Sequence, residues 1–199
     1  MSTGAKFAQV FANEAGVPLR KTGRLNFTTR RFVKTFQGAY CRGLYESEPL
    51  KVDGIPGPLT CRAMNDSKDH GFRLSANFKM KEFITKGERR VTLSNEVLKV
   101  DRQLVLSLEY LRKTIGSPIY ILSAYRDPVH NKRIGGASRS QHLYGKAVDV
   151  DRALTKRPIT EAEARAAGFN GVGMLARSRP GQDVIHVDVR HAAARWFYR

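Results

Sequence analysis

Two short segments constrain the fold of this chain more than anything else in it. In Ala147-Val-Asp-Val-Asp151, Asp149 and Asp151 alternate with Val148 and Val150. In Val184-Ile-His-Val-Asp-Val-Arg190, His186 and Asp188 alternate with Ile185, Val187 and Val189. Successive strand side chains point to opposite faces, so each segment reads as a half-buried strand with its aliphatic side chains in a core. If the two strands are neighbours in one antiparallel sheet, Asp149 and His186 meet above it. His142 precedes Asp149, and the turn signal Tyr144-Gly145 between them folds it back toward the same place. Two imidazoles and a carboxylate suit a hydrolytic zinc site, in which a fourth position is left for water and the water's pKa falls to about 7. Asp183 and Asp188 flank His186 in sequence, and either could take a proton from that water.

The rest of the pattern is α+β. Phe7, Val10 and Phe11 predict a helix over residues 4–14, ended by Gly16-Val17-Pro18. A second helix is expected over residues 28–40, with Thr28 or Thr29 as its cap and Phe32, Val33, Phe36 and Tyr40 as its apolar stripe. Asp53-Gly54 and Gly57-Pro58 are turn signals, after which a third short helix begins. The polar run over residues 65–77 reads as a linker with His70 solvated in it, dividing the chain into a helical module, 1–70, and a larger domain, 71–199. Val97, Val100, Leu104, Leu108, Leu111 and Ile115 mark the longest helix, over residues 94–115, with Ser94 as N-cap and Gly116 at its end. A β-rich run follows over residues 118–125. Thr160-Glu-Ala-Glu163 is a capping box for a short helix that Gly168 ends. The segment from Val184 is read as the last strand, with Trp196-Phe197-Tyr198 packing the C-terminus down, and no internal repeat is visible. The expected architecture is a small antiparallel sheet with flanking helices that carries the zinc site, preceded by a small three-helix module.

Charge narrows the partners. The formal net charge is +17 with a pI near 10.3, and Lys and Arg outnumber Asp and Glu on both sides of position 70. A well-solvated surface is the plain reading; an anionic polymer such as a carboxylate-rich cell wall is the sharper one. Specific nucleic-acid recognition is not expected, because neither interleaved aromatics nor a recognisable module accompanies the charge. The opening MSTGAKFAQVFANEAG lacks the apolar core of a secretory signal, and no run is long enough to span a bilayer. The expectation is a monomer that stays in the cytosol until something releases it. Cys41 and Cys61 read as buried free thiols, with a disulfide between them left open. His130 falls in a basic loop expected to rim the cleft, and His191 follows the last strand at the surface.

Ser140-Gln-His-Leu-Tyr-Gly-Lys-Ala-Val-Asp149 resembles the S-x-H-x-x-G-x-A-x-D motif of the zinc D-Ala-D-Ala carboxypeptidases and phage L-alanyl-D-glutamate endopeptidases. Leu74-Ser-Ala-Asn-Phe-Lys-Met-Lys-Glu-Phe83, Ser123-Ala-Tyr-Arg126 and Asp183-Val-Ile-His186 extend the resemblance in motif order over residues 72–199. Ahead of it, Val52-Asp-Gly-Ile-Pro-Gly-Pro-Leu-Thr60 resembles the D-G-x-x-G-x-x-T signature of the three-helix peptidoglycan-binding module, with an insertion, RGLYESEPL, before it.

The resemblance implies a zinc peptidase acting on peptidoglycan, with His142, Asp149 and His186 holding one zinc per chain. It implies that Arg126 binds a substrate carboxylate or steadies the oxyanion, and that Ser140 and Gln141 contact the peptide backbone. For the general base it nominates Asp183, whereas strand alternation puts Asp188 on the face of His186. Asp183 is preferred, since it lies at the start of the strand after Pro180-Gly181, where alternation need not hold. Asp188 then orients a ligand from behind or holds Arg190. Three functions fit: a phage endolysin released onto the wall, a bacterial D,D-carboxypeptidase or wall-remodelling enzyme, and a zinc-stabilised wall-binding protein without turnover.

Overall fold

Among the described residues five strands form one sheet: β1 (Ile121–Ser123), β2 (Ala147–Asp151), β3 (Gly171–Leu175), β4 (Val184–Asp188) and β5 (Ala194–Tyr198), in the order β1-β2-β4-β3-β5. The structure is a computed structural model and describes residues 3–41, 49–85, 97–175 and 183–198. β2 and β4 are antiparallel neighbours with Asp149 directly opposite His186, the pairing under which the sequence reading brings the two together. The contacts β1–β2 and β3–β4 are antiparallel as well, and β3–β5 is parallel. β4 is therefore not the last strand; Trp196 lies in β5, at the sheet's edge. β3 has no counterpart in the sequence reading, because Gly-Val-Gly offers little apolar alternation to read.

β2 differs from expectation in its burial. All five of its residues are buried, not alternate ones. Val148 and Val150 join the core. On the other face Asp149 is closed over by His142, His186 and Arg126, and Asp151 accepts a hydrogen bond from Ala153 N at 3.0 Å. Polar partners cover that face in place of water, which periodicity cannot reveal.

The helices are α1 (Thr3–Glu14), α2 (Phe27–Ala39), α3 (Pro58–Asp69), α4 (Arg102–Ile115), α5 (Pro128–Arg133) and α6 (Glu161–Ala166). Asn26, not Thr28 or Thr29, caps α2: its Oδ1 accepts from Thr29 N at 2.9 Å, and both threonine hydroxyls donate to the same oxygen. α4 starts at Arg102, capped by Asp101, whose carboxylate accepts from Gln103 N at 2.8 Å. Val97 and Val100 are buried but precede the helix, and Ser94 lies outside the described residues, as does most of the RGLYESEPL insertion. Gly116 closes α4 in the left-handed region, and the Thr160–Glu163 capping box opens α6. The polar run over 65–77 begins inside α3, because Met64 and Ser67 turn the helix's buried face inward.

One hydrophobic cluster runs from Ala8 and Phe11 through Phe36, Phe78, Leu104 and Val150 to Val187. Polar contacts cross position 70 with it. Cys41 N donates to Leu74 O at 2.8 Å, Thr35 Oγ1 to Leu98 O at 2.9 Å, and Arg102 Nη1 to Tyr40 O at 3.0 Å.

The helical part also contains a repeat that the sequence reading missed. The buried Gln9 side chain donates to Thr22 Oγ1, Arg24 O and Thr29 Oγ1 at 3.1, 2.9 and 2.9 Å, and accepts from Gly23 N at 2.9 Å. The buried Gln37 side chain donates to Asp53 Oδ1, Ile55 O and Thr60 Oγ1 at 2.9, 3.1 and 3.1 Å, and accepts from Gly54 N at 2.8 Å. Each amide clasps the loop that leads into the next helix. Gly54 has φ +76, and a Cβ there would lie 3.0 Å from Arg30 O, so the clasped turn calls for glycine. Only Gln, Gly and Thr recur between the two units, too few positions to stand out by eye.

Candidate metal centre

The centre is assembled from a tight turn and two paired strands. His142 lies in the 3₁₀ turn Gln141–Tyr144, which Gly145 closes with φ 68. A Cβ at Gly145 would lie 2.3 Å from Lys99 O, which explains a glycine three residues after the imidazole. Asp149 and His186 come from the middle of β2 and β4, face to face across the ladder.

Three ligand atoms converge. His142 Nε2 lies 3.2 Å from His186 Nδ1 and 3.3 Å from Asp149 Oδ1, and His186 Nδ1 lies 2.9 Å from Asp149 Oδ1. Tetrahedral ligands about 2.0–2.1 Å from a zinc ion stand about 3.3 Å from one another, so the spacing fits one zinc with little adjustment. All three side chains are buried, and together they form a metal-competent group.

The imidazoles are presented in the right tautomers. His142 Nδ1 lies 2.6 Å from Ala124 O. A carbonyl only accepts, so Nδ1 carries the proton and Nε2 offers its lone pair. His186 Nε2 lies 3.1 Å from Asp188 Oδ2, which leaves His186 Nδ1 as the lone-pair nitrogen. A partner behind each ligand that fixes ring and tautomer is the usual support of a metal-binding histidine.

The protonation preferences follow from the same contacts. Burial holds the His142 pKa below its ordinary value despite Asp149 beside it. Burial also opposes charge on His186, but Asp149 and Asp188 on either side outweigh it and raise its pKa. Burial resists ionisation of Asp149 too, yet the two imidazoles drive its pKa far below the carboxylate range. Asp188 sits at about 2, held there against burial by His186 and Arg190.

Around this group the other predicted residues separate. Arg126 Nη2 ion-pairs with Asp149 Oδ2, and its Nε donates to Ser123 Oγ at 2.9 Å. Ser140 and Gln141 are half-buried at the start of the His142 turn. Asp188 is completely buried, with both oxygens engaged by Arg190 and one by His186. Asp183 lies just before β4, half-exposed, and its Oδ1 is bound by Arg152 Nε at 3.1 Å and by Nη2. His130 lies in α5 and takes a contact from Arg133 at 2.7 Å, while His70 and His191 are exposed. Cys41 and Cys61 are free; Cys41 is buried and Cys61 half-buried.

Several contributors escaped the sequence reading. Trp196 packs against the His186 ring at 5.1 Å. Thr85 Oγ1 accepts from Ala124 N at 3.1 Å and donates to Tyr125 O at 2.7 Å, fixing the segment that carries the Ala124 carbonyl and Arg126. Gly171 and Gly173 clear space on β3. A Gly-x-Gly within reach of the histidine strand was the available signal, though not one that named its partners.

The Peptidase M15 family matches residues 76–188, a stretch that holds all three converging ligands. The chain is also 27% identical, over 201 residues, to a zinc D-Ala-D-Ala carboxypeptidase of Streptomyces albus G, covering 96% of this chain and 73% of that protein. With the ligand triad buried and inside the matched stretch, the chain belongs to the Peptidase M15 family.

Proposed function

We propose that this chain is a zinc-dependent peptidase of peptidoglycan, hydrolysing an amide bond of the wall's stem or cross-link peptides. The observation that carries this is the convergence of His142 Nε2, Asp149 Oδ1 and His186 Nδ1 at tetrahedral spacing. Zinc held there supplies a Lewis acid and a water whose pKa is lowered to about 7. The carbonyl of Ala124 and the carboxylate of Asp188 keep both imidazoles in their binding tautomers. Arg126, permanently charged and with forked donors, lies against Asp149 where it can meet a substrate carboxylate or developing oxyanion. Ser140 and Gln141 border the turn of His142 and take the peptide backbone.

Asp183 is the base that takes the proton from the attacking water. What supports it over Asp188 is availability. Asp183 Oδ2 has no hydrogen bond among the described residues and the side chain is half-exposed, whereas Asp188 is sealed between His186 and Arg190.

The name of the Streptomyces relative favours a D,D-carboxypeptidase as the second reading. A terminal carboxylate on the substrate then gives Arg126 its partner. In the helical part, the Gln37-clasped loop borders a cleft of about 880 Å³ lined by Tyr40, Leu50, Ile55 and Leu59, which suits a wall-binding role for residues 1–70. The cationic surface suits a carboxylate-rich polymer, and release onto the wall from the cytosol, as by an endolysin, is the biological setting we infer.

The test is digestion of purified peptidoglycan by the zinc-loaded protein, with new amines counted and fragments weighed by mass spectrometry. Loss of terminal D-alanine marks a carboxypeptidase, and an internal cut marks an endopeptidase. No released amine or amino acid from several wall chemotypes refutes the enzyme and leaves a zinc-stabilised binding protein.

A further inference from the structure

His186 and Trp196 stand on strands that are two apart in the sheet, with β3 between them. Gly173 is in register with His186 on one side and with Trp196 on the other. Adjacent strands are about 4.8 Å apart, so side chains two strands apart are normally separated by the side chain between them. Here there is none. A Cβ at Gly173 would lie 2.6 Å from the indole Nε1 and Cε2. The indole leans into that gap and meets the imidazole with ring centroids 5.1 Å apart, planes at 52°.

A second set of contacts binds the same two rings. The Arg190 guanidinium lies 4.7 Å from the centre of the Trp196 ring. It also holds Asp188, through Nε to Oδ1 at 2.7 Å and Nη2 to Oδ2 at 2.5 Å, and Asp188 Oδ2 faces His186 Nε2 at 3.1 Å. A closed circuit results: His186 to Asp188, to Arg190, to Trp196, and back to His186. Hydrogen bonds fix the imidazole at one nitrogen, and the indole fixes its tilt.

We propose that Trp196 is a positioning residue of the metal centre, seating in the gap at Gly173 to lock the ring of His186 so that Nδ1 faces the ligand site. The inference rests on the zinc reading of His142, Asp149 and His186 given above. It makes β5 part of the centre, although β5 supplies no ligand. It also assigns a purpose to the glycine at 173: the space it leaves is the indole's seat.

The experiment is zinc binding by the full chain, measured by competition with a chromogenic chelator and separately from turnover. Changing a group that supports a ligand typically costs about 10–100-fold in metal affinity, and Trp196→Ala is expected in that range. Trp196→Phe, which keeps a ring in the seat, recovers most of the loss. Gly173→Ala, which leaves the indole intact but pushes it from its seat, reproduces the alanine effect. Because Trp196 is the single tryptophan, its emission in the wild type is expected to change on titration with zinc, and to be quenched by Co²⁺ bound at the same site. Circular dichroism establishes that each variant folds; should Trp196→Ala fail to fold, Trp196→Phe and Gly173→Ala decide the question. Unchanged zinc affinity in the folded alanine variant, or in Gly173→Ala if only that one folds, overturns the proposal. Tight zinc binding by a wild type that cleaves no wall peptide refutes the peptidase reading and leaves this one standing.

Discussion

Gly171 is in register with Asp188 across the β3–β4 ladder, and a Cβ at 171 would come within 2.2 Å of Asp188 Oδ2. The buried carboxylate behind His186 thus occupies the volume that a side chain on the neighbouring strand would fill. Gly171→Ala is expected to destabilise the fold by about 1–3 kcal/mol, the usual cost of overpacking a filled interior. Chemical denaturation of the variant measures it, and a stability equal to wild type would show that Asp188 moves aside freely.

Asp183 and Asp188 are separable by what each replacement damages. Asp183→Asn keeps shape and removes the base, so turnover is expected to fall by about 10²–10⁴ while zinc affinity stays put. Asp188→Asn disturbs the partner of His186 and is expected to weaken zinc by about 10–100-fold. Parallel zinc competition and amine-release assays separate the two. Full turnover in Asp183→Asn would return the role of base to Asp188.

Removing the metal tests the ligands themselves. Chelation is expected to abolish turnover and added zinc to restore it. Asp149→Ala is expected to lose more affinity than the roughly 10–100-fold typical of a supporting residue. In that variant Arg126 also loses its carboxylate partner.

Acid stability has an identifiable contributor at the start of α6. Glu163 accepts from Arg157 and, in its capping box, from Thr160, and these contacts lower its pKa from 4.5 to about 2. A carboxylate with a depressed folded-state pKa contributes stability above its unfolded value, and that contribution is lost as pH falls through the folded one. The window is therefore pH 4.5 down to about 2. Glu163→Gln is expected to lower the melting temperature at pH 7 and to narrow the gap to wild type near pH 2. A gap that stays constant across that range would remove Glu163 from the acid response.

The Gln37 amide is the clasp of its loop. Gln37→Ala leaves Gly54 N–H and the Thr60 hydroxyl without this partner, and the expected loss is about 1–3 kcal/mol, the cost of stranding buried polar groups. Denaturant unfolding of Gln37→Ala beside Gln9→Ala measures both clasps. Losses below a few tenths of a kcal/mol would mean that water replaces the amide.

Where chemistry and periodicity coincide, the fold was legible. Alternation in β2 and β4 put Asp149 and His186 on the same face if the strands paired, and the observed register sets them opposite each other. The Gly116 stop and the Thr160 capping box were readable because their hydrogen bonds are local. The start of α4 was misplaced because Val97 and Val100 are apolar for packing, and the Asp101 cap settles the boundary. β3 and β5 stayed hidden for a different reason. Gly171 and Gly173 carry no hydropathy signal; their meaning is the space they leave for Asp188 and Trp196, which are remote in sequence. Of the centre, the three converging ligands could be named in advance. Asp188 as the partner of a ligand or of Arg190 could be named too; the closure through Trp196 could not, because it depends on which strand lies beside which.

The two glutamine clasps differ in one respect. Gln9 reaches its partners at sequence separations of 13, 14, 15 and 20, and Gln37 reaches the matching partners at 16, 17, 18 and 23. Every interval is longer by the same three residues. Three more residues separate Gln37 from its turn, and its amide still meets the backbone at the same point of the loop. The two clasps thus hold equivalent points of their loops across different lengths of chain, one leading into α2 and the other into α3.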